Sequence, residues 1–239
     1  MGETISAVYG RLRSAQKGRA RGAPAYSIYV NRPLGRVFAA LAYRLGMSPN
    51  AVTAVSAIWS LTAIVLLVLM PRSPQLGVVV AALLVLGYAW DSSDGQVARL
   101  RGGGTLAGEW LDHFVDAVKI AMLHAAVLVA SYRADDLPVA WLLVPIGFGI
   151  VAEVTFFAMI LNDLLKAKRG ASSAVVRGGS SPLRSLLLLP TDYGVLCLSF
   201  LLWGWAPGFA VVYAALAVAN AMFLVLAAGR WFREMTTYD

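Results

Sequence analysis

The sequence has few of the residues on which water-soluble or disulfide-stabilised proteins depend. It contains a single cysteine, Cys197, so no disulfide can form within the chain. Only 14% of its 239 residues are charged, whereas about 25% is usual for a soluble globular protein. Hydrophobic residues make up 59%, which is too many for a disordered chain. An ordinary soluble enzyme, a disordered chain and a disulfide-rich secreted domain are therefore excluded.

Long apolar runs take the place of the missing charges. A membrane-spanning helix needs about 20 predominantly apolar residues to cross a hydrocarbon core of about 30 Å. Six runs have this length, and proline or glycine residues separate them. The sequence predicts an all-α integral membrane protein with six transmembrane helices, at approximately residues 51–70, 76–99, 105–130, 138–161, 183–203 and 209–232.

The distribution of positive charge predicts the orientation of these spans. All but three of the twenty Lys and Arg residues fall on one side of the membrane in this topology. Arg72 and Arg133 fall on the other side, and Lys119 lies within a span. Because cytoplasmic loops carry an excess of Lys and Arg, we expect both termini to be cytoplasmic. The net charge of +7 then indicates a membrane surface as the partner, and no nucleic acid.

The whole chain divides into two parts. Residues 1–28 are predicted to be a basic, mobile segment, and residues 29–239 a single membrane domain. Within that domain, residues 29–44 are predicted to form an amphipathic helix at the membrane interface. Its apolar face consists of Val30, Leu34, Val37, Phe38 and Leu41. Two interpretations stay open for this helix, a segment that only sets the topology or a lid over a site at membrane level.

Four aspartates lie in the cytoplasmic parts of the second and third predicted spans, and an acidic side chain costs roughly 2.5–3.5 kcal/mol at the centre of such a helix. Asp91 and Asp94 share one face of the second span, and Asp112 and Asp116 share one face of the third. A short Gly-rich turn makes these two helices antiparallel neighbours. Converging carboxylates can be neutralised by divalent cations, and their oxygen ligands favour Mg²⁺, Mn²⁺ or Ca²⁺ over zinc. Pairing with Arg99, Arg101 and Lys119 explains one or two of these aspartates, but not four.

The spacing of residues 91–116 resembles a family signature. The stretch has the pattern D-x2-D-G-x2-A-R-x8-G-x3-D-x3-D, which is typical of the CDP-alcohol phosphotransferase (CDP-alcohol phosphatidyltransferase) family, and all eight specified residues match. The stretch Ser48-Pro-Asn-Ala-Val-Thr53 is similar to the family's Thr-Pro-Asn-x-Val-Thr, with serine in the first position. The resemblance implies an integral membrane enzyme of phospholipid biosynthesis. Such enzymes displace CMP from a CDP-linked alcohol, usually CDP-diacylglycerol, by attack of an acceptor hydroxyl.

The resemblance also implies a role for each matching residue. Asp91, Asp94, Asp112 and Asp116 would bind two metal ions, Mg²⁺ or Mn²⁺, and Asp116 would also be the catalytic base that takes the acceptor proton. Two metals suit this chemistry because they can stabilise both the entering and the leaving oxygen. The residues expected to contact the nucleotide and diphosphate are Asn50, Thr53, Gly95, Ala98, Arg99 and Gly108.

The acceptor is expected to be a small polar alcohol, with an inositol phosphate or glycerol 3-phosphate as the leading choices. Arg184, Asp192 and Lys119 are the candidate acceptor-binding residues. For Lys119 two interpretations stay open, a role in this pocket or an ion pair with Glu153 in the next span. The expected assembly is a homodimer in the plasma membrane, with the active site at the cytoplasmic face.

Two other functions use similar residues. An intramembrane prenyltransferase also binds a diphosphate through Mg²⁺, but its acidic motifs lie on well-separated helices and lack the Asp-Gly-x2-Ala-Arg continuation. A divalent-cation transporter would continue its polar residues across the bilayer. The outer halves of the second and third spans are apolar except for His124, which disfavours a transporter.

Overall fold

The structure is a computed structural model that describes residues 5–14, 24–170 and 182–238. Within these ranges the regular structure is entirely helical. Much of the segment 1–28, for which mobility is predicted, lies outside the described residues, as does Arg177 of the fourth connection. The described chain begins with the helix α1, Ile5–Ser14, followed by a π-helical turn at Ser27–Asn31 and by α2 at Arg32–Arg44.

Five helices in the described ranges are long and apolar enough to cross a membrane. They are α3 (Pro49–Leu69), α4 (Pro74–Leu100), α5 (Leu106–Ala134), α6 (Leu143–Lys168, preceded by a 3₁₀ turn at Val139–Leu142) and α9 (Ala206–Met235). They coincide with the first, second, third, fourth and sixth predicted spans. The chain is therefore a membrane protein with several transmembrane helices.

Three of these helices begin at a capping hydroxyl. The Ser48 side chain accepts a hydrogen bond from the Ala51 backbone N–H at 3.2 Å, and Pro49 opens α3. Ser73 accepts from Leu76 N–H at 3.1 Å ahead of α4, and Thr105 accepts from Gly108 N–H at 3.1 Å ahead of α5. Serine and threonine at this position satisfy backbone donors that a helix leaves unpaired.

The fifth predicted span, 183–203, is not one continuous helix. It consists of α7 (Pro182–Leu187), a 3₁₀ turn (Leu189–Thr191), α8 (Tyr193–Ser199) and a second 3₁₀ turn (Phe200–Leu202). Pro190 has no N–H for a helix, and the Asp192 carboxylate starts α8 by accepting from Gly194 N–H at 2.9 Å. The longest apolar helical stretch here, Tyr193–Leu202, is about half the length that a span needs. A sixth transmembrane segment therefore remains a prediction.

Helix α9 packs beside this break. The side-chain amide of Asn220 donates a hydrogen bond to the Pro190 carbonyl at 3.2 Å. Phe200, Phe209 and Tyr213 form a buried aromatic group between the two segments. His124 reaches this group from α5, with its Nδ1 atom 2.5 Å from the Tyr213 hydroxyl, so this histidine has an interior partner.

The α1 and α2 helices cover the end of the bundle at which α4 stops. Val8 of α1 is buried in one apolar cluster with Ala39 of α2 and Val97 of α4. Gly35 permits this close packing, because a Cβ atom there would overlap the Ser92 hydroxyl and approach the Ala89 carbonyl to 3.2 Å. The predicted helix 29–44 is thus helical throughout, while its position at a membrane interface remains a prediction.

Arg72 holds the opposite end of the bundle together. Its guanidinium stacks on the Trp203 ring at 3.7 Å and donates to the Trp203 carbonyl and the Ser131 hydroxyl, both at 3.1 Å. It also pairs with Asp136 at 3.0 Å. Burial lowers the pKa of Arg72, and the Asp136 carboxylate opposes that shift. The α3–α4 connection is thereby tied to α5 and to the segment before α9.

Candidate active site

The antiparallel pair α4 and α5 brings the aspartates together. Asp91, Asp112 and Asp116 each present a carboxylate oxygen, and these three oxygens lie within 4.8 Å of one another. All three side chains are half-buried, so their mutual repulsion is only partly screened by solvent. Three hard oxygen donors at this spacing fit a divalent cation such as Mg²⁺ or Mn²⁺.

Asp94 lies beside this group and is more deeply buried, with 9% of its surface exposed. The Thr53 hydroxyl donates to Asp94 Oδ2 at 2.8 Å, and the Gly95 backbone N–H donates to the other carboxylate oxygen. The carboxyl group of Asp94 also contacts that of Asp112. The structure thus brings the four aspartates to one place, and their role as metal ligands remains a prediction.

Lys119 inserts an ammonium group between two of these carboxylates. Its Nζ atom lies 2.5 Å from Asp91 Oδ1 and 2.7 Å from Asp116 Oδ1, and its side chain is 9% exposed. The Ser56 hydroxyl of α3 completes this contact, 3.3 Å from Nζ and 3.2 Å from Asp91 Oδ1. Three helices therefore surround the ammonium group.

Of the two interpretations of Lys119, the ion pair with Glu153 is wrong. Asp116 lies one helical turn before Lys119, and Asp91 faces it from α4, so two carboxylates other than that of Glu153 pair with the ammonium. Glu153 instead borders a groove between α5 and α6, and among the described residues its Oε1 atom has no hydrogen-bond partner.

The glycines of the motif differ in the space around them. A Cβ atom on Gly108 would lie 3.0 Å from Asn50 Oδ1 and 3.2 Å from Thr105 Oγ1, so this glycine lets α5 start close to α3. At Gly95 the nearest atom to such a Cβ is Arg99 Nη1 at 3.6 Å, which leaves open space.

The remaining residues predicted to contact the nucleotide lie at the same end of the bundle. Asn50 and Thr53 are in the first turns of α3, and Ala98 and Arg99 are in the last turns of α4. Ala98 is buried and Arg99 is exposed. Their contact with a nucleotide remains a prediction.

A cavity of about 170 Å³ adjoins Asp91, Asp116 and Lys119. The rest of its lining is Ser60, Tyr88, Ile120, Phe156 and Tyr193. Sequence reasoning missed these residues. Tyr88 could be found from its position three residues before Asp91, on the same helix face. Tyr193 and Phe156 come from distant helices, and no local pattern indicates them.

Two acceptor candidates have other surroundings. Asp192 is 3% exposed, and its two carboxylate oxygens accept backbone N–H groups from Ser27 at 2.7 Å and Gly194 at 2.9 Å. Its carboxylate thus joins the π-helical turn before α2 to the start of α8. Arg184 is exposed on α7 and does not line the cavity. Of the three candidates, only Lys119 borders the cavity and the aspartates, and acceptor binding remains a prediction for all three.

Comparison with known proteins identifies a curated relative. The phosphatidylinositol phosphate synthase of Corynebacterium glutamicum is 35% identical over 144 residues, which are 59% of this chain and 59% of that protein. The chain thus spans about three fifths of the length of the curated relative that it matches.

Solved structures of the phosphatidylinositol phosphate synthase of Mycobacterium tuberculosis share the fold. The complex with manganese and citrate has a TM-score of 0.53 at 24% identity, over 82% of this chain and 87% of that chain. The structure with CDP-DAG bound has a TM-score of 0.54 at 24% identity, over 85% and 94%.

The sequence model of one family covers most of the membrane region. The CDP-alcohol phosphatidyltransferase model matches residues 46–228, from just before α3 into α9. The match includes the signature residues 91–116 and the stretch that begins at Ser48. The family resemblance of the sequence is thereby confirmed. The chain belongs to the CDP-alcohol phosphatidyltransferase family and is a transferase.

Proposed function

We propose that the protein transfers a phosphatidyl group from CDP-diacylglycerol to a hydroxyl of a small polar acceptor, with release of CMP. The observation that carries the proposal is the convergence of Asp91, Asp112 and Asp116, whose carboxylate oxygens lie within 4.8 Å at one end of two apolar helices. A diphosphate approaching this group meets strong repulsion unless cations lie between them. A site at the end of the spans suits a donor whose acyl chains stay in lipid.

The donor set fits Mg²⁺ or Mn²⁺, held by the three aspartates together with Asp94. Bound divalent cations would offset the charge of the diphosphate and stabilise the entering and leaving oxygens. Thr53 fixes the orientation of Asp94 through its hydrogen bond. The open space beside Gly95 admits the nucleotide, and Arg99 contributes a positive charge to a phosphate oxygen.

Asp116 takes the proton of the acceptor hydroxyl as that oxygen attacks phosphorus. The Lys119 ammonium pairs with this carboxylate, with Nζ 2.7 Å from Asp116 Oδ1. The cavity beside them receives the part of the acceptor that carries the hydroxyl.

An inositol phosphate is the acceptor that we propose, and glycerol 3-phosphate is the second candidate. We propose an inositol phosphate because the relative at 35% identity is a phosphatidylinositol phosphate synthase. The choice of donor follows the family, and a synthase of the same fold holds CDP-DAG in its solved structure.

We further propose that residues 29–239 form one membrane domain. We also propose that the chain is a homodimer in the plasma membrane and that the aspartates face the cytoplasm.

The test is CMP release by purified protein with CDP-diacylglycerol and Mg²⁺ or Mn²⁺, across inositol 1-phosphate, inositol, glycerol 3-phosphate and serine. We expect release that depends on inositol 1-phosphate and falls by about 10²–10⁴-fold in Asp116→Asn. Asp163→Asn is the matched control, because Asp163 is exposed on α6. Release with glycerol 3-phosphate alone would reassign the acceptor. Failure to bind any cytidine nucleotide would overturn the transferase chemistry proposed for this site.

A further inference from the structure

The position of Lys119 bears on how the aspartate cluster takes up metal ions. Its Nζ atom contacts Asp91 and Asp116, two of the three carboxylates that form the candidate metal group. We propose that the Lys119 ammonium occupies one of two cation positions in this cluster, so that the two metal ions bind unequally and the second must displace it. This inference rests on the proposed function, because it takes the aspartates to be metal ligands.

The contacts distinguish two parts of the cluster, which meet at Asp112, since its carboxylate oxygen also lies within 4.8 Å of those of Asp91 and Asp116. Asp91 and Asp116 contact the ammonium group, whereas Asp94 and Asp112 contact each other. A first divalent cation can therefore bind at Asp94 and Asp112 while Lys119 stays in place. A second cation between Asp91 and Asp116 has to take the space that Nζ fills.

Formal charge leads to the same order of binding. Four carboxylates are balanced by two divalent cations, and the ammonium group is then one positive charge in excess. With a single divalent cation, two negative charges remain, and the Lys119 ammonium compensates one of them. Arrival of a diphosphate adds negative charge to the site, which favours the second cation and offers the displaced ammonium a new partner.

The surroundings of Lys119 indicate a defined position. Its side chain is 9% exposed, and the Ser56 hydroxyl lies 3.3 Å from Nζ. A lysine whose role is only to stabilise the fold would change the stability when replaced, but would leave the relative affinities of the two metal positions unchanged. This difference separates the two roles.

The test is a titration of the purified full chain with Mn²⁺, followed by calorimetry and by electron paramagnetic resonance, which detects spin coupling between neighbouring Mn²⁺ ions. Wild type is compared with Lys119→Met, which removes the charge and keeps a similar length. Lys166→Met is the matched control, because Lys166 pairs with Glu234 at 2.6 Å, between α6 and α9.

We expect two Mn²⁺ affinities in wild type. In Lys119→Met the weaker one tightens by about tenfold or more, which corresponds to 1.4 kcal/mol, and the spin-coupled pair forms at lower Mn²⁺. Lys166→Met behaves as wild type. If Lys119→Met does not fold without metal, it is purified with Mn²⁺ and then titrated by chelation. Lys119→Arg, which keeps the charge, retains the weak second position.

Three results overturn the proposal. Equal Mn²⁺ affinities in wild type, or an unchanged second affinity in Lys119→Met, would remove the role of Lys119 and leave the proposed transfer reaction intact. The absence of Mn²⁺ and Mg²⁺ binding in every variant would overturn the metal centre itself, and with it both proposals.

Discussion

Asp91, Asp94 and Asp116 each have a partner in the protein that reduces the cost of holding a carboxylate among apolar helices. Thr53 donates to Asp94, while Ser56 and Lys119 contact Asp91. Ionisable groups in membrane helices are expensive and are paired when they occur. The donors from α3 therefore belong to the same unit as the aspartates of α4 and α5.

Thr53→Val should destabilise the protein, because it leaves Asp94 Oδ2 without its hydroxyl donor. A buried acceptor that loses its donor costs about 1–3 kcal/mol, and valine has nearly the same shape as threonine. Unfolding by denaturant in detergent micelles without metal measures the loss. Thr62→Val is the matched control, since the Thr62 hydroxyl on the same helix only donates to the Ile58 carbonyl at 2.7 Å and is exposed. Equal losses in the two variants would contradict the expectation.

Gly95→Ala should leave the fold intact and weaken donor binding. A Cβ atom there meets only Arg99 Nη1, at 3.6 Å, so stability should stay equal or rise by up to about 1 kcal/mol. If the nucleotide approaches the backbone at this glycine, the KM for CDP-diacylglycerol should increase by roughly tenfold, equivalent to 1.4 kcal/mol. Gly147→Ala in α6, where a Cβ meets nothing within 4 Å, is the control. An unchanged KM in Gly95→Ala would place the nucleotide elsewhere.

At the scale of elements, long helices and their starts are predictable from local sequence. Ser48 and Thr105 stand directly before apolar runs, and both cap the helices that follow. The break at Pro190 is missed because apolar residues continue on both sides, so composition favours one long span. Pairing of Lys119 with one or two aspartates is open from sequence, but its partners Asp91 and Ser56 reach it from other helices, and depth along the helices alone favours Glu153.

The packing of α2 on α4 gives a prediction for this pair of elements. Gly35→Ala should lower the thermal midpoint, because its Cβ atom would overlap the Ser92 hydroxyl and crowd the Ala89 carbonyl at 3.2 Å. Adding Ser92→Ala should restore part of the loss, since it removes the overlapping oxygen. Gly10→Ala on α1 should have no comparable effect, because a Cβ there meets nothing within 4 Å. If the two substitutions lower the thermal midpoint additively in the double variant, the side chains at positions 35 and 92 are not in contact.

For the whole molecule, the charge distribution predicts which end of the bundle faces the cytoplasm, and the single cysteine makes this measurable. Cys197 is fully buried, so the unmodified protein should not react with a membrane-impermeant thiol reagent. Tyr132→Cys, at a position 71% exposed near the end of α5, should be labelled in intact cells. Thr237→Cys, after α9, should be labelled only in inside-out vesicles. The opposite pattern would reverse the proposed orientation.

The break at Pro190 makes the biogenesis of residues 182–203 depend on α9. Tyr193–Leu202 extends about 15 Å, too short for insertion as an independent span. The Pro190 carbonyl takes its hydrogen bond from Asn220, which is synthesised thirty residues later. Because unpaired backbone groups are costly in lipid, we expect the insertion machinery to hold this segment until α9 emerges from the ribosome and to release both into the bilayer together.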